Sequence, residues 1–550
     1  MSRRNSRRPA SFLAVFLGLS LLLGTGVRAA VPYSGYEYST DNYNSMVGGE
    51  ETANARPAPS AFVYSHSLNG GALGLDTPLN APEDFICDDK GNAYILDSLN
   101  NRIVAVDLQA RRATYVLTGY RVGGGEDTRF TAGRGLYLRE NRLYACLPDT
   151  QKIVAVDLPA FVTGRTEPVA GEGVAIVKNE PGKPVEIQLE AALEIGSPDL
   201  SAFKSNFAFK PTRMVADDAG RLYVVVSGVY DGLLLLDETG AFIGFTGANR
   251  IKIGPLDLLW RSLSTDKQIE AQKDTVPIEF NALDIDDEGF VYTTAKGSES
   301  ENLVRRLNLM GSDVIKQGAY YIKGDLSPLN DKGTPRSSSN LIDIDATENG
   351  IYTCLDNMRG HVFTYNGEGD LLFAFGGLSA QRGAFKVPAA VQWHDGDILV
   401  LDKGDNALIT FRPTSYGAAI MEAAGAQYSG GYGESFALWN SVIDMNPFNQ
   451  TAQRNVGKLE YDNGNYEQAM KHFRLGNSPE LYSKSFGKQR EIAARQVIPW
   501  VVGGIIVLLV AVAVFAGVRA LRRAGGRWRF FRQQAAAYRQ RRRKASGGKE

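Results

Sequence analysis

The chain of 550 residues is poor in the residues that most often bind transition metals or form disulfides, with three cysteines and four histidines. Three cysteines cannot supply a disulfide framework, so we expect all three to be buried and unpaired. The histidines show no HxxxH spacing and no His/Cys cluster, which argues against a histidine-rich zinc centre. We predict no metal ligands and no cofactor, with Ca²⁺ bound through oxygen ligands as the alternative that stays open. The four histidines are His66, His361, His394 and His472.

The motifs of several enzyme classes are also absent. The chain has no Gly-x-Ser-x-Gly elbow at a strand-to-helix turn, which a serine hydrolase of the α/β class would need. Gly123-Gly124-Gly125 lacks the Lys-Ser/Thr pair that a phosphate-binding loop requires. We predict no catalytic residue, and whether the chain is an enzyme stays open, with a non-enzymatic role favoured.

The formal charge of −1 hides an uneven distribution. Residues 1–29 contain five arginines, and residues 519–550 contain twelve Lys/Arg against one Glu. The rest of the chain holds 43 basic and 60 acidic residues, a formal charge of −17. A surface of that charge repels nucleic acid, so we expect no nucleic-acid partner.

Apolar segments at both ends predict export and a membrane anchor. Residues 1–29 combine an Arg-rich start, an apolar run and a Val27-Arg28-Ala29 cleavage pattern, as in a signal peptide. Residues 497–518 carry no charge and would span roughly 33 Å as a helix, enough to cross a bilayer. The Arg-rich flank predicts a cytoplasmic tail over 519–550 and type I topology in the cell membrane. That tail either serves only as a topology signal or lies on the inner leaflet through Trp528, Phe530, Phe531 and Tyr538.

A repeat dominates the exported part. IVAVDL occurs at residues 103–108 and again at 153–158, 50 residues apart. Each copy ends a set of short alternating runs separated by Asp/Gly turns, the pattern of a propeller blade. The frame recurs six times, so we predict a mainly β chain with a six-bladed β-propeller over residues 61–411. Its first strands begin near Phe85, Gly135, Met214, Leu283, Ile342 and Val391.

One strand is missing from the end of this repeat. The sixth unit stops at Phe411 and runs into helical sequence, whereas residues 61–68 read as a strand before the first unit. Pairing 61–68 with the last unit would close the ring and cover a sheet edge. The alternative is that 61–68 only leads into the first unit. Residues 30–60 form an N-terminal extracytoplasmic segment.

Residues 412–496 show helical periodicity with a second, 34-residue repeat. Tyr432 recurs as Tyr466, and Trp439 recurs as Phe473. Gly457, where two helices would cross closely, completes a tetratricopeptide-like (TPR-like) pattern. We predict a small TPR-like helical module between the propeller and the membrane helix.

The run from Tyr94 to Ile103, YILDSLNNRI, resembles the signature of NHL-repeat β-propellers. Later units keep it in part, as at Asp149–Ile153. The whole chain resembles bacterial membrane-anchored NHL-repeat proteins with a short TPR-like module. This resemblance implies binding of a protein or other ligand more often than catalysis, because propellers of this kind host scaffolds, sensors and enzymes alike.

Polar residues recur where each inner strand starts, and they form the candidate ligand-binding set. In a propeller they would ring the mouth of the central channel. Carboxylate and Asn oxygens suit Ca²⁺, as in propeller lactonases, whereas the two arginines suit an anion. A third interpretation is a merely solvated channel mouth. The six residues are Glu83, Asp84, Arg134, Arg213, Asn281 and Asn340.

Three insertions, residues 159–210, 248–279 and 316–339, extend the connections between units, and long loops on a rigid face are where propellers place recognition. We therefore predict a membrane-anchored extracytoplasmic binding scaffold, acting within an envelope or transport assembly. The alternative is a metal-dependent propeller hydrolase or lactonase. A one-pass sensor is disfavoured because the 32 residues of the tail are too few for a kinase or cyclase domain.

Overall fold

The computed structural model describes residues 59–159, 173–199, 207–247, 279–296, 303–316, 323–327, 336–337 and 339–546. The predicted signal peptide and most of the N-terminal segment lie outside this range. The chain divides into two compact units, Met1–Asn455 and Val456–Glu550.

Asx-Gly turns separate the strands of the first unit. At Asp217 the carboxylate Oδ1 accepts hydrogen bonds from the backbone N–H of Ala219 (3.0 Å) and Arg221 (2.9 Å). Gly220 then takes a φ of +77°, which costs glycine little. The same geometry recurs at Asp237, Asp286, Asn308 and Asn366. Local side-chain chemistry therefore ends each strand and reverses the chain.

Most strands pair antiparallel with their neighbours in chain order. The first two sets are β2 (Asp84–Cys87), β3 (Asn92–Asp97), β4 (Arg102–Asp107) and β5 (Arg112–Arg121), then β6 (Gly135–Arg139), β7 (Arg142–Leu147) and β8 (Lys152–Asp157). Next come β9 (Val174–Lys178), β10 (Val185–Ile195), β11 (Pro211–Ala216), β12 (Leu222–Val226), β13 (Leu233–Leu236) and β14 (Phe242–Thr246). β15 (Glu279–Ile285), β16 (Val291–Lys296) and β17 (Val304–Leu307) form a three-stranded sheet, and β18 (Leu326–Ser327) pairs with β19 (Arg336–Ser337). β20 (Leu341–Ala346), β21 (Tyr352–Asp356), β22 (His361–Tyr365) and β23 (Leu371–Gly376) form one further sheet.

The last sheet contains both ends of the β region. It has the order β1 (Phe62–Asn69), β26 (Ala407–Pro413), β25 (Asp397–Asp402) and β24 (Pro388–His394). β1 runs antiparallel to β26, with Phe62 opposite Pro413 and Asn69 opposite Ala407. A strand from the start of the region therefore completes the sheet formed by its last three strands.

β10 departs from the expectation drawn from the sequence. Residues 185–195 belong to the predicted recognition insertion 159–210, yet they form an eleven-residue strand. Its first half pairs with β5 in parallel and its second half pairs with β8 antiparallel. β10 thus joins two sets of strands into one nine-stranded sheet. Reading these residues as a loop was wrong, because β10 supplies the fourth strand beside β8.

We call β2, β6, β11, β15, β20 and β24 the inner strands. Each contacts the next one along the chain, and β24 returns to contact β2, so the contacts close a ring. Aliphatic and aromatic side chains fill the space between neighbouring sheets, as where Tyr94 and Tyr115 of the first set pack with Leu143 and Val154 of the second. This is a propeller-type arrangement, in which apolar burial between sheets stabilises the ring.

Five helices follow the strands. They are α1 (Ser415–Tyr428), α2 (Tyr432–Met445), α3 (Gln450–Asp462), α4 (Tyr466–Leu475) and α5 (Pro479–Ser546). Thr414 caps α1 by accepting a hydrogen bond from Gly417 N–H. Trp439 Nε1 of α2 donates to Gln427 Oε1 of α1 at 3.0 Å. The first helices also touch the sheets, since Thr451 Oγ1 donates to the Leu371 carbonyl at 2.8 Å.

In the second unit, Gly457 of α3 lies against Phe473 of α4, where an added Cβ would come within 2.8 Å of the ring. α5 is 68 residues long. Its segment 479–544 is the one described helix that is long and apolar enough to cross a bilayer, with a mean hydropathy of 2.9 over its most apolar window. Its apolar side chains are exposed, which fits a single-pass membrane anchor.

Candidate functional site

Four of the six predicted ligand-binding residues meet at the inner strands. Glu83 forms two ion pairs: Arg134 Nη1 lies 2.9 Å from its Oε1, and Lys403 Nζ lies 3.2 Å from its Oε2. Arg213 Nη1 donates to the carbonyl oxygen of Arg134 and lies 3.6 Å from Asp84 Oδ2. We call Glu83, Asp84, Arg134, Arg213, Asp343 and Lys403 the inner-strand cluster.

Arg213 is the centre of this cluster. Its Nε lies 3.8 Å from Asp343 Oδ1, and Asp84 lies on the side of Nη1. Both carboxylates are buried, and the Arg213 side chain is 13% exposed. One guanidinium therefore holds two buried carboxylates from two different inner strands, and the position suits an electrostatic brace.

The two predicted asparagines have other partners. Asn281 Nδ2 donates to the Leu341 carbonyl at 2.9 Å, which joins β15 to β20. Asn340 Nδ2 donates to Asn357 Oδ1 at 2.9 Å, and its backbone N–H donates to Asp356 Oδ1 at 2.8 Å. Neither asparagine shares a hydrogen bond or ion pair with the inner-strand cluster among the contacts of the described residues.

Buried aspartates on the inner strands hold neighbouring sheets together. Asp84 accepts from Leu136 N–H at 2.7 Å, and Asp284 accepts from Ala346 N–H at 2.7 Å. Asp343 and Asp345 accept from Val391 N–H and Trp393 N–H, both at 2.8 Å. Because each acceptor lies one sheet before its donor, these bonds link successive inner strands.

Sequence reasoning missed Asp284, Asp343 and Asp345, although a signal was present. The runs LDID and LIDID place aspartates at alternate positions of two inner strands, at residues 283–286 and 341–345. A strand that presents carboxylates on one face every second residue directs them toward the same neighbour.

Burial shifts the protonation of this set. Desolvation raises the pKa of Asp284 to about 6. It raises the pKa of Asp343 to about 7, against the opposing effect of Arg213. Burial likewise raises the pKa values of Asp84 and Asp345. The carboxyl groups outnumber the one guanidinium among them, so part of the set is protonated near neutral pH.

A second polar group lies at one end of the sheet formed by β20 to β23. Asp325, Asp356 and His361 bring one ligand atom each within 4.8 Å of one another, the one such metal-ligating trio among the described residues. His361 Nδ1 bonds to Asp325 Oδ2 at 2.8 Å, and Arg359 Nη1 lies 3.2 Å from the same carboxylate. Sequence reasoning missed this group because Asp325 comes from the insertion 316–339. Because Arg359 and His361 both contact the Asp325 carboxylate, the group has the arrangement of an ion-pair network.

A cleft of about 570 Å³ lies between the sheet of β7 and β8 and the sheet of β12 and β13. Both arginines of its lining are paired: Arg142 Nε lies 2.7 Å from Asp157 Oδ1, and Arg139 Nη2 lies 3.4 Å from Asp218 Oδ1. The cysteines remain without disulfides; Cys146 and Cys354 are buried, whereas Cys87 is only partly buried.

Comparisons with known proteins describe only a distant likeness. No protein-family model matches the chain, and no curated protein matches it. Among solved structures, streptogramin B lyase is 8% identical, with 64% of this chain and 97% of that chain covered and a TM-score of 0.35. The aldose sugar dehydrogenase of Streptomyces coelicolor in its PQQ-bound form is 12% identical, with 65% and 99% covered and a TM-score of 0.34. The extracellular domain of a one-component system from B. thetaiotaomicron is 10% identical with a TM-score of 0.30; the match covers 60% of this chain but spans only 33% of that one.

Proposed function

We propose that the chain is a membrane-anchored extracytoplasmic binding scaffold. In this proposal residues 61–411 form a six-bladed NHL-type propeller, 412–496 form a TPR-like module, and α5 anchors both with the tail in the cytoplasm. The ligand is a protein or another extracytoplasmic molecule bound at one end of the propeller. The scaffold needs no cofactor and binds no nucleic acid.

One observation supports the position of the binding face. Large apolar side chains are exposed at the turn between the second and third strands of three separate sheets. Leu99 is 65% exposed, Tyr230 48% and Met358 61%. In an antiparallel sheet these turns lie at the same end as the connections to the next sheet. Single exposed apolar side chains are ordinary on a protein surface, so it is their repetition at one end of the ring that supports this end as the proposed binding face.

The pairing of the inner-strand cluster supports a scaffold over a channel enzyme. Glu83, Asp84 and Arg213 each have a partner of opposite charge in the cluster. The buried aspartates also accept backbone hydrogen bonds from the next sheet. Groups used in this way stabilise the ring, and they contribute rigidity to the loops at its ends.

Crosslinking in the native membrane followed by purification of the full-length protein tests the binding face. The triple variant Leu99→Glu, Tyr230→Glu, Met358→Glu should lose a specific crosslinked partner by about tenfold or more, because charge at an apolar contact opposes desolvation. Met310→Glu is the matched control: Met310 is 87% exposed but follows the third strand of its sheet, at the opposite end. Equal capture by both variants would contradict the proposed face.

The predicted insertions offer a second test. Residues 248–279 and 316–339 lie mostly outside the described residues, so their role as recognition loops stays a prediction. Shortening residues 248–279 should abolish partner capture while the circular dichroism of the β region is unchanged, because stability resides in the strand repeats. A shortened chain that captures its partner normally would remove this insertion from the binding face.

Asp84 and Asp343, buried together at the inner strands, favour one second candidate, a metal-dependent propeller hydrolase, because carboxylate oxygens are the ligands that Ca²⁺ prefers. Metal analysis of the detergent-purified full-length protein separates the two. A stoichiometric Ca²⁺ or Zn²⁺ that is lost in Glu83→Gln, Asp84→Asn would favour the hydrolase and count against the scaffold.

A further inference from the structure

The last part of α5 carries an apolar stripe that the membrane span does not explain. Beyond residue 518 the helix continues to Ser546. Phe530 lies on the other side of the helix, but six further apolar positions recur at alternating spacings of three and four, so that they fall within an arc of roughly 100° on a helix of 3.6 residues per turn. These positions are Leu521, Ala524, Trp528, Phe531, Ala535 and Tyr538.

The stripe is exposed along its length. Leu521 is 73% exposed, Trp528 70%, Phe531 66% and Tyr538 67%. Large aromatic side chains left in water along one side of a helix are unfavourable relative to burial in an apolar environment. The stripe therefore calls for a partner that covers it.

The charge around the stripe identifies the chemistry of that partner. Residues 519–546 contain ten arginines and one lysine and no acidic residue. Arg527 and Arg532 border the stripe on its two sides. A covering surface must be apolar beneath the aromatic side chains and anionic where the guanidinium groups reach, which describes the interface of an anionic lipid leaflet.

A second copy of the helix fits less well. The spacing of the stripe also allows a coiled coil, in which Arg527, Arg532, Arg539 and Arg541 would occupy the flanking e and g positions. Two such helices would face each other with like charges and no glutamate to pair them. The anchor also ties residues 519–546 directly to the end of the membrane span, so the leaflet is always within their reach.

We propose that residues 527–546 lie along the cytoplasmic leaflet, with Trp528, Phe531, Ala535 and Tyr538 in the interface and the arginines on anionic headgroups. Gly525 and Gly526 provide the bend between the spanning and surface segments, because a glycine pair is where a helix bends most easily. They lie seven and eight residues beyond the apolar span, about 10–12 Å along the helix. The tail would then limit the tilt and rotation of the anchor. This inference rests on the proposed topology but not on the proposed ligand.

A pair of labelled variants of the full-length protein in vesicles tests the inference. An environment-sensitive NBD fluorophore is attached at Ala535→Cys on the stripe and, as the matched control, at Gln533→Cys on the opposite side. The unsubstituted chain, treated with the same fluorophore, gives the background signal from the native cysteines. In vesicles with about one-third phosphatidylserine, the label at position 535 should be about threefold brighter than that at 533, and the contrast should fall with salt.

Three further measurements complete the test. In phosphatidylcholine alone the contrast should largely disappear, and Trp528→Glu, Phe531→Glu should remove it in anionic vesicles. Equal signals at 535 and 533 in anionic vesicles would overturn the inference. So would energy transfer between copies that is independent of lipid composition, which would indicate a helix dimer, or a contrast that appears only on adding RNA.

The vesicle contrast does not depend on orientation, because both leaflets are anionic. Orientation is measured separately in intact cells with a membrane-impermeant thiol reagent. Blocking of Ala535→Cys from outside would refute the proposed topology and with it the cytoplasmic position, whereas the loss of a ligand at the propeller would leave the tail inference unaffected.

Discussion

The protein has two sets of buried aspartates, one at the turns and one on the inner strands. They differ in how far along the chain their hydrogen-bond donors lie. Asp97, at the end of β3, accepts from Asn80 N–H at 2.7 Å, from Asn100 Nδ2 at 2.8 Å and from Arg102 Nε at 2.7 Å. Asp343, on β20, accepts from Val391 N–H, 48 residues away and in the next sheet.

The difference shows how one residue type serves two levels of structure. The turn position recurs at Asp356 and Asp402, each completely buried and each accepting from the residues of its own turn and from the approach to its inner strand. The inner-strand position instead joins sheets. Local bonds need only the hairpin, whereas bonds between sheets require two sheets that are distant along the chain to pack together.

The largest loss of stability should come from removing β1, because the strand with which it pairs, β26, lies at the other end of the β region. Deleting residues 31–68 removes nearly all of β1, whose Phe62 is buried against Phe373 and Trp393 with ring centroids 5.1 Å and 5.5 Å away. We expect the melting temperature to fall by about 10 °C or more, since burial worth several kcal/mol is lost. Deleting only residues 31–58 is the control and should leave it unchanged. Equal melting of the two truncations would show that β1 does not hold the ring.

Replacing a buried turn aspartate should cause the next largest loss of stability. Asp97→Ala removes the acceptor of Asn80 N–H and the carboxylate that pairs with Nε of the mostly buried Arg102, so we expect a loss of about 3 kcal/mol of unfolding free energy. Asp157→Ala is matched to it, because Asp157 also pairs with an arginine at 2.7 Å but on the exposed surface. That pair should contribute less than about 1 kcal/mol. Chemical denaturation measures both, and similar losses would remove the distinction between buried and exposed pairs.

Ionisation of the inner-strand aspartates should lower the stability by a smaller amount, which depends on pH. The pKa of Asp343 is raised to about 7 and that of Asp284 to about 6 in the folded protein. A raised carboxyl pKa means that the folded state binds the proton more tightly, so this contribution to stability is complete at low pH and is lost as the pH rises through about 7. We expect the melting temperature to fall between pH 5.5 and pH 8.

Asp343→Asn should flatten this dependence, because the amide oxygen can still accept from Val391 N–H while no longer ionising. Asp157→Asn provides the control and should retain the slope of the wild type. A variant Asp343→Asn with an unchanged pH profile would show that Asp343 does not titrate in this range.

Much of the local structure was predictable from the sequence. The alternating runs, the Asp-Gly turns and the positions where the inner strands begin depend on residues within a few positions of one another. The uncharged span of residues 497–518 lies within one helix for the same reason. Cys146 and Cys354 are buried as expected, since they lie inside strands.

The candidate site was predictable only in part. The sequence indicated polar residues where the inner strands begin, but it could not show that Arg213 meets both Asp84 and Asp343. It also did not show that β10 would join two sets of strands, because its residues fit either an extended loop or a strand. His361 and Asp325 are 36 residues apart, and Asp325 lies in the insertion 316–339, which is not part of the repeat.

The sequence by itself determined the elements of this protein: the short strands, the turns that separate them, the helices and the apolar anchor. These follow from backbone preferences, side-chain capping and hydrophobic periodicity, all of which act over a few residues. Only the tertiary structure decided which strands pair across the chain, which carboxylates share Arg213 and which of them are buried enough to have a raised pKa. Those outcomes depend on groups brought together by ring closure, and desolvation exists only once the sheets have packed.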